Sequence, residues 1–312
     1  MSRDRSPGGT ADHHAGFACF VGRPNVGKST LLNALVGEKI AITSDKPQTT
    51  RRAIRGIVTR PDAQLVVVDT PGMHKPRTLL GERLGEVIRG VWSDVDVIGF
   101  CVPADEAIGP GDRRIMADLA HDAPRTPVLG IVTKTDKVGP EAIAKQLLAL
   151  SQVREFADVI PVSAVRGDQV GLLTDLLVAQ LPESPRLYPD GEVTDEPVET
   201  LIAELVREAA LDGVRDELPH SLAVLVSEMM PRERAPGRAP LTDVFATIYV
   251  ERDSQKSIVL GHKGSRLASV GRRSRVGIEK LLGTQVYLDL HVTVAKEWQR
   301  DPKQLRKLGF DG

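Results

Sequence analysis

The stretch Gly22-Arg23-Pro24-Asn25-Val26-Gly27-Lys28-Ser29-Thr30 constrains this chain more than any other. It fits the pattern G-x-x-x-x-G-K-[ST], follows the apolar run Phe17–Val21, and opens a segment with Leu31, Leu32 and Leu35 at helical spacing. Strand, glycine-rich turn and helix in that order aim successive backbone N–H groups and a helix N-terminus at one point, which suits a phosphate. The glycines let the backbone wrap closely, Lys28 can reach the β- and γ-phosphates, and the Ser29 hydroxyl can ligate Mg²⁺. A chance glycine-rich turn before a helix is the alternative, and motif and setting together disfavour it.

The rest of the chain must accommodate that unit. From Gly16 to about Leu181, the short apolar runs Phe17–Val21, Leu65–Val68, Val95–Val102, Val128–Val132 and Val159–Val162 alternate with helix-length segments. That rhythm predicts an α/β fold, a parallel sheet flanked by helices, with Ile54–Val58 as an added edge strand. Prolines 182, 185, 189 and 197 then punctuate an acidic stretch. The expected organisation is a disordered tail over 1–15, a nucleotide-binding domain over 16–182, a linker over 183–197, a second domain over 198–300 and a tail over 301–312. A length of 312 residues agrees with two domains. Cys19 and Cys101 lie in apolar runs and read as buried thiols rather than a disulfide or metal pair. No run approaches the roughly 18 apolar residues that span a bilayer, so a cytoplasmic protein is expected.

Four further stretches narrow the nucleotide. Asp69-Thr70-Pro71-Gly72 ends the run Leu65–Val68, where a carboxylate can hold the water shell of Mg²⁺ and the Gly72 N–H can sense a γ-phosphate. In Gln48-Thr49-Thr50-Arg51, a threonine hydroxyl can complete the magnesium shell only when triphosphate is bound. Thr50 is assigned that role over Thr49, an ordinary threonine-rich turn being the other reading. Thr133-Lys134-Thr135-Asp136 follows the run Val128–Val132. The Asp136 carboxylate can accept from both N1–H and the 2-amino group of guanine and would repel the unprotonated N1 of adenine. Lys134 can lie over the base or brace the phosphate loop, and the Ser163-Ala164 backbone can donate to the guanine O6.

Beyond the linker, Val198–Leu211 has helical periodicity, while Leu222–Val226 and Val244–Val250 read as strands around the Arg/Pro-rich loop Pro231–Pro240. From Ser254 onward there are 12 Lys+Arg against 5 Asp+Glu, a net +7, which leaves −8 on the remainder of a chain whose total is −1. A basic segment on an acidic body suggests a polyanion partner, or a solvated basic surface. Gly261-His262-Lys263-Gly264 forms a G-x-x-G loop followed by a helix carrying Arg266, Arg272, Arg273, Arg275 and Lys280, and then by the strand Val286–Val294. In KH domains such a loop clamps about four nucleotides of single-stranded RNA. Gly261, His262, Lys263, Gly264, Arg266, Arg272 and Arg273 are the expected RNA contacts.

The five nucleotide stretches, in this order and spacing, resemble the G1–G5 boxes of a translation-factor-class GTPase. GRPNVGKST, KPQTTR and DTPG together resemble the Era family in particular, as do Glu217-Leu218-Pro219-His220-Ser221 and the KH-like run Glu251–Trp298. The resemblance covers nearly everything from Phe17 to Trp298. It implies a type II α+β KH domain and binding to the 3′ end of small-subunit (16S) ribosomal RNA. It further implies a role in assembly of the 30S subunit, a monomer, and peripheral association with the inner face of the cell membrane. Thr133 departs from the family pattern, which begins this box with Asn.

The expected reaction is attack of water on the γ-phosphate of GTP, with Lys28, Thr50, Gly72 and Asn25 as the catalytic set. Many GTPases carry a water-orienting Gln after the DxxG glycine. Here that position is Met73, so slow intrinsic hydrolysis is expected. Asn25 resembles the asparagine of GTPases that bind K⁺ beside the phosphates, or it is a surface-turn residue. An RNA-binding assembly chaperone that binds GTP but hardly hydrolyses it is the competing reading.

Overall fold

The computed structural model describes residues 13–43, 50–51, 53–71, 78–214, 221–234 and 237–310. Its first unit is a six-stranded sheet in the order β2-β3-β1-β4-β5-β6, parallel except for β2, which pairs antiparallel with β3. The strands are β1 His14–Val21, β2 Ile54–Thr59, β3 Ala63–Asp69, β4 Val97–Pro103, β5 Val128–Thr133 and β6 Asp158–Pro161. β3, β4 and β5 are buried along their whole length, as strands covered on both faces must be. Helices α1 Lys28–Val36 and α5 Val170–Val178 cover one face, and α2 Leu79–Asp94 and α3 Pro110–Asp122 the other, with α4 Pro140–Ser151 beside β5 and β6. Cys19 and Cys101 are free and buried.

The segment 183–197 is a strap laid against the sheet rather than a spacer. The buried Gln64 amide donates to Tyr188 O at 3.0 Å and accepts from Leu187 N at 2.7 Å and Tyr188 N at 2.8 Å. Ile57 N donates to Val193 O at 2.9 Å, so an edge N–H of β2 finds a partner. The expected tail over 1–15 is shortened as well, because β1 begins at His14 and Ala15 is buried. Residues 1–12 lie outside the described residues.

The second unit places α6 Val198–Leu211, α7 Asp253–Leu260 and α8 Ser265–Leu282 on one face of the sheet β7-β8-β9. β7 Ala223–Arg232 runs antiparallel to β8 Leu241–Val250, and β9 Gln285–Val294 lies parallel to β8. This α–β–β–α–α–β order is the type II KH arrangement expected from the sequence.

The segment 301–312 contains a helix, α9 Pro302–Lys307, capped by Asp301, whose carboxylate accepts from Lys303 N at 2.8 Å. Leu305 and Leu308 are buried with Trp298 against Leu80 and Leu84 of α2. Each of these leucines contributes roughly 1.5–3 kcal/mol by leaving water, so this cluster holds the two units together. Leu80 N also donates to Gln299 O at 3.1 Å, and Arg83 Nη1 to Phe310 O at 2.9 Å. Among the described residues, no helix is long and apolar enough to cross a membrane.

Candidate nucleotide site and RNA groove

The phosphate loop joins β1 to α1 through backbone that only a few residue types adopt. A Cβ on Gly22 would lie 2.5 Å from Cys101 O, so the loop can cross β4 this closely only without a side chain. Asn25 is left-handed, at φ 64°, and exposed. Pro24 and Thr30 are half-buried and Val26 is buried in the core beneath the loop. Arg23 turns sideways, its Nε 2.8 Å from the buried Asp112 and its Nη2 3.1 Å from Glu106, which moors the loop to the start of α3. Lys28 is buried and arches back over the loop, donating to Gly22 O at 3.1 Å and Arg23 O at 3.0 Å. Burial lowers its pKa, the cost of holding an ammonium ready for an anion.

Three residues assigned to magnesium from sequence converge on one another. Ser29 Oγ lies 2.6 Å from Asp69 Oδ2 and 3.0 Å from Thr50 Oγ1, and Thr50 Oγ1 lies 3.1 Å from Asp69 Oδ2. Asp69 Oδ1 is buried without a hydrogen-bond partner, and burial raises the pKa of this carboxyl. Two hydroxyls and a carboxylate with one oxygen to spare fit a hard divalent cation whose other ligands are water and phosphate. Thr70 is buried and donates to Phe20 O at 3.0 Å, and Pro71 is buried beside it. Gly72 and Met73 lie outside the described residues, as do Gln48 and Thr49.

The residues expected to read the base are also held in place by hydrogen bonds. Lys134 is left-handed, at φ 56°, and starts a 3-10 turn carrying Asp136. Ser163 Oγ donates to Asp136 Oδ1 at 2.8 Å, leaving the second carboxylate oxygen for a ligand. The half-buried Ala164 packs on the core next to it. Arg166, which the sequence reading did not single out, bonds Asp136 O at 3.3 Å through Nη2 and Ser163 Oγ at 3.2 Å through its backbone N–H. Thr133 braces the phosphate loop, its hydroxyl lying 2.5 Å from Val26 O in that loop and 3.2 Å from Val102 O.

In the second unit, Gly261, Lys263 and Gly264 are all left-handed and set the G-x-x-G loop between α7 and α8, with His262 and Lys263 exposed. Beside it runs a groove of about 490 Å³ lined by Gly264 of the loop, by Leu267, Gly271, Arg272 and Arg275 of α8 and by Tyr287, Leu288 and Leu290 of β9. Two of the arginines expected to contact RNA face away from it. Arg266 bonds Ala210 O at 3.2 Å and Asp212 O at 2.8 Å. Arg273 bonds Ala209 O at 2.7 Å and the Asp212 carboxylate. They satisfy the last carbonyls of α6, where cations are favoured. Arg272 and Arg275 line the groove.

Arg51 reaches from the first unit into the second. It is buried, with Nη1 2.7 Å from Leu222 O and its guanidinium 5.7 Å from the centre of the Trp298 ring. Burial pulls its pKa down to about 9, so it remains a cation at neutral pH. Nearby, Glu208 of α6 pairs with Lys39 at 2.5 Å and accepts from Thr43 N at 2.9 Å, and Ile42 inserts into the core of the second unit.

Comparison with known proteins agrees with this geometry. Residues 17–134 match the family model described as 50S ribosome-binding GTPase, and residues 217–299 match the KH domain. The chain is 62% identical to GTPase Era of Streptomyces coelicolor over 303 residues, covering 96% of this chain and 95% of the relative. It is also 62% identical to GTPase Era of Mycolicibacterium smegmatis over 300 residues, covering 96% and 99%. A crystal structure of Era in complex with MgGDPNP and nucleotides 1506–1542 of 16S ribosomal RNA superposes with a TM-score of 0.89 at 35% identity, covering 96% of this chain and all of the other. Aquifex aeolicus Era bound to GDP and AlF4⁻ matches at the same TM-score and 34% identity.

Proposed function

Because the chain belongs to the Era family of GTPases, we propose that its GTP state sets its grip on the 3′ end of 16S ribosomal RNA during assembly of the 30S subunit. The observation that carries this reading is the position of Thr50 and Arg51. One side chain joins Ser29 and Asp69, and the next enters the KH domain. The solved Era complex with MgGDPNP and 16S ribosomal RNA supports both ligands.

Ser29, Thr50 and Asp69 are the residues that would hold Mg²⁺, which when bound would neutralise charge on the β- and γ-phosphates. Lys28 and the backbone N–H groups from Asn25 to Thr30 stabilise the phosphoryl oxygens as the terminal bond lengthens. The Gly72 N–H reports the γ-phosphate. Met73 offers no group to orient the attacking water, so intrinsic turnover is slow. Asn25, at the exposed lip of the loop, would hold K⁺ beside the phosphates. Asp136 reads guanine, with Ser163 orienting it. In the KH domain the G-x-x-G loop and Arg272 hold the RNA backbone. Monomeric state and peripheral attachment to the inner face of the cell membrane rest on the family resemblance.

Crosslinking in cells followed by sequencing of the bound RNA tests the target. The 3′ end of 16S ribosomal RNA should dominate the crosslinks and vanish with Gly264→Asp. Crosslinks spread over tRNA or messenger RNA would remove the assembly role.

A further inference from the structure

The Arg/Pro-rich connection between β7 and β8 has no part in the nucleotide site, and the KH groove as described ends before it. Alternation along β9 turns Val286, Leu288 and Leu290 toward the helices and Tyr287 to the opposite face of the sheet. β9 is the sheet's edge, so Tyr287 borders the groove while presenting its ring, 48% exposed, outside it. The hairpin reaches across to this point. Arg232 lies 5.0 Å above the Tyr287 ring centre and is held there by Asp243 at 2.8 Å. Arg234 Nη1 bonds Gln285 Oε1 and Ala239 O, each at 2.9 Å, at the start of β9. Arg238 is exposed on the same hairpin, and Met230 is 42% exposed beside Arg232.

The groove runs from Gly264, at the start of α8, toward Arg275 and Tyr287. Tyr287 and the hairpin therefore stand at the end opposite the G-x-x-G loop. A KH groove holds about four nucleotides. An exposed aromatic ring with arginines around it is the means by which proteins hold single strands without reading sequence. Arg232 is pre-set over the ring, so an incoming base can extend the stack, while Arg234 and Arg238 supply charge for phosphates.

We propose that the β7–β8 hairpin is a second RNA-binding surface, where nucleotides leaving the KH groove at its Tyr287 end stack on Tyr287 and Arg232 and are held by Arg234 and Arg238. This rests on the groove being the RNA site, and it assigns the hairpin the flanking single strand rather than a protein partner.

The test uses the full-length protein with one GTP analogue at fixed salt and a series of single-stranded RNAs. The series starts from a tetranucleotide and is extended one residue at a time to about ten, in either direction. For the wild-type protein, affinity should climb on extension in one direction past the groove. Tyr287→Ala should remove roughly fivefold to a hundredfold of that gain, the worth of one base–aromatic stack, and weaken the tetranucleotide by clearly less, because the residue only borders the groove that holds it. Arg234→Ala with Arg238→Ala, both exposed, should lower the salt slope for long RNAs by about 1–2. Arg232→Lys keeps Asp243 paired and should lose part of the stacking gain. Unchanged affinity for the long RNAs in all three variants would overturn the proposal, as would equal weakening of short and long. Loss of association with small ribosomal subunits while oligonucleotide affinities stay unchanged would mean a protein contact and would also overturn it. Gly264→Asp separates this failure from failure of the groove reading, since that substitution should abolish binding at every length.

Discussion

Thr50 and Arg51 are consecutive residues whose side chains end in different domains. Thr50 Oγ1 sits 3.0 Å from Ser29 and 3.1 Å from Asp69 in the nucleotide site, and Arg51 Nη1 sits 2.7 Å from Leu222 O in the KH domain. One peptide unit thus joins the hydroxyl that would sense the triphosphate to a guanidinium packed on Trp298. A shift of Thr50 on γ-phosphate loss reaches the Arg51 backbone first, because a single planar peptide separates the two residues.

Replacing Arg51 should therefore uncouple the domains without disabling either. Arg51→Met fills similar volume and removes a buried charge, a type of change that is often neutral or stabilising, although Leu222 O loses its donor. Net stability should move by no more than about 2 kcal/mol. The ratio of RNA affinities between GTP-analogue and GDP states should fall toward one while GTP binding stays intact. A ratio unchanged from wild type would show that the signal travels by another route.

Asp69 is expected to trade stability for function. Folded Asp69 holds its proton more tightly than the unfolded residue does, because burial raises its pKa. The nucleotide-free protein should therefore gain stability as pH falls from neutral through that raised value toward the ordinary carboxylate range. Asp69→Asn should flatten this dependence while removing magnesium-dependent GTP binding. Melting curves across pH for both proteins, without nucleotide, check it. A variant whose melting temperature changes with pH as steeply as the wild type's would contradict the account.

The parts of this architecture that reside in local pattern were legible in the sequence. The phosphate loop, the buried strands and the α6 periodicity depend on residues close together in the chain. What covers an amphipathic face is not local. Leu80 and Leu84 announce a buried stripe on α2, but nothing near them specifies Trp298 and Leu305 as its cover. The strap over 183–197 was masked by its prolines, and its anchor is Gln64, a buried glutamine more than a hundred residues away. The arginines of α8 could have been sorted. Arg266 and Arg273 are seven apart and share a face directed at α6, while Arg272 and Arg275 are three apart on the face lining the groove.

Thr133 should matter through its hydroxyl alone. Thr133→Val keeps the shape and strips the donor from Val26 O, which should cost about 1–2 kcal/mol in guanine-nucleotide affinity, roughly fivefold to thirtyfold. Dissociation of a fluorescent GDP analogue measures this. Thr133→Asn should bind at least as tightly as wild type. If Val and Thr release nucleotide equally fast, the brace is not formed in solution.

Potassium dependence is the expected signature of Asn25. Turnover in KCl should exceed that in NaCl at equal ionic strength, and Asn25→Ala should erase the difference. Equal wild-type rates in the two salts would assign Asn25 to the turn alone.

Titration of RNA carrying the 16S 3′-end sequence into full-length protein, once with a GTP analogue and once with GDP at fixed salt, tests the switch most directly. Coupling of about 1–3 kcal/mol predicts affinities that differ by roughly 5–150-fold between the two states. The difference should be lost in Arg51→Met, and RNA binding itself in Gly264→Asp. Identical affinities in both nucleotide states of the wild-type protein would leave two independent binding modules on one chain and contradict the account.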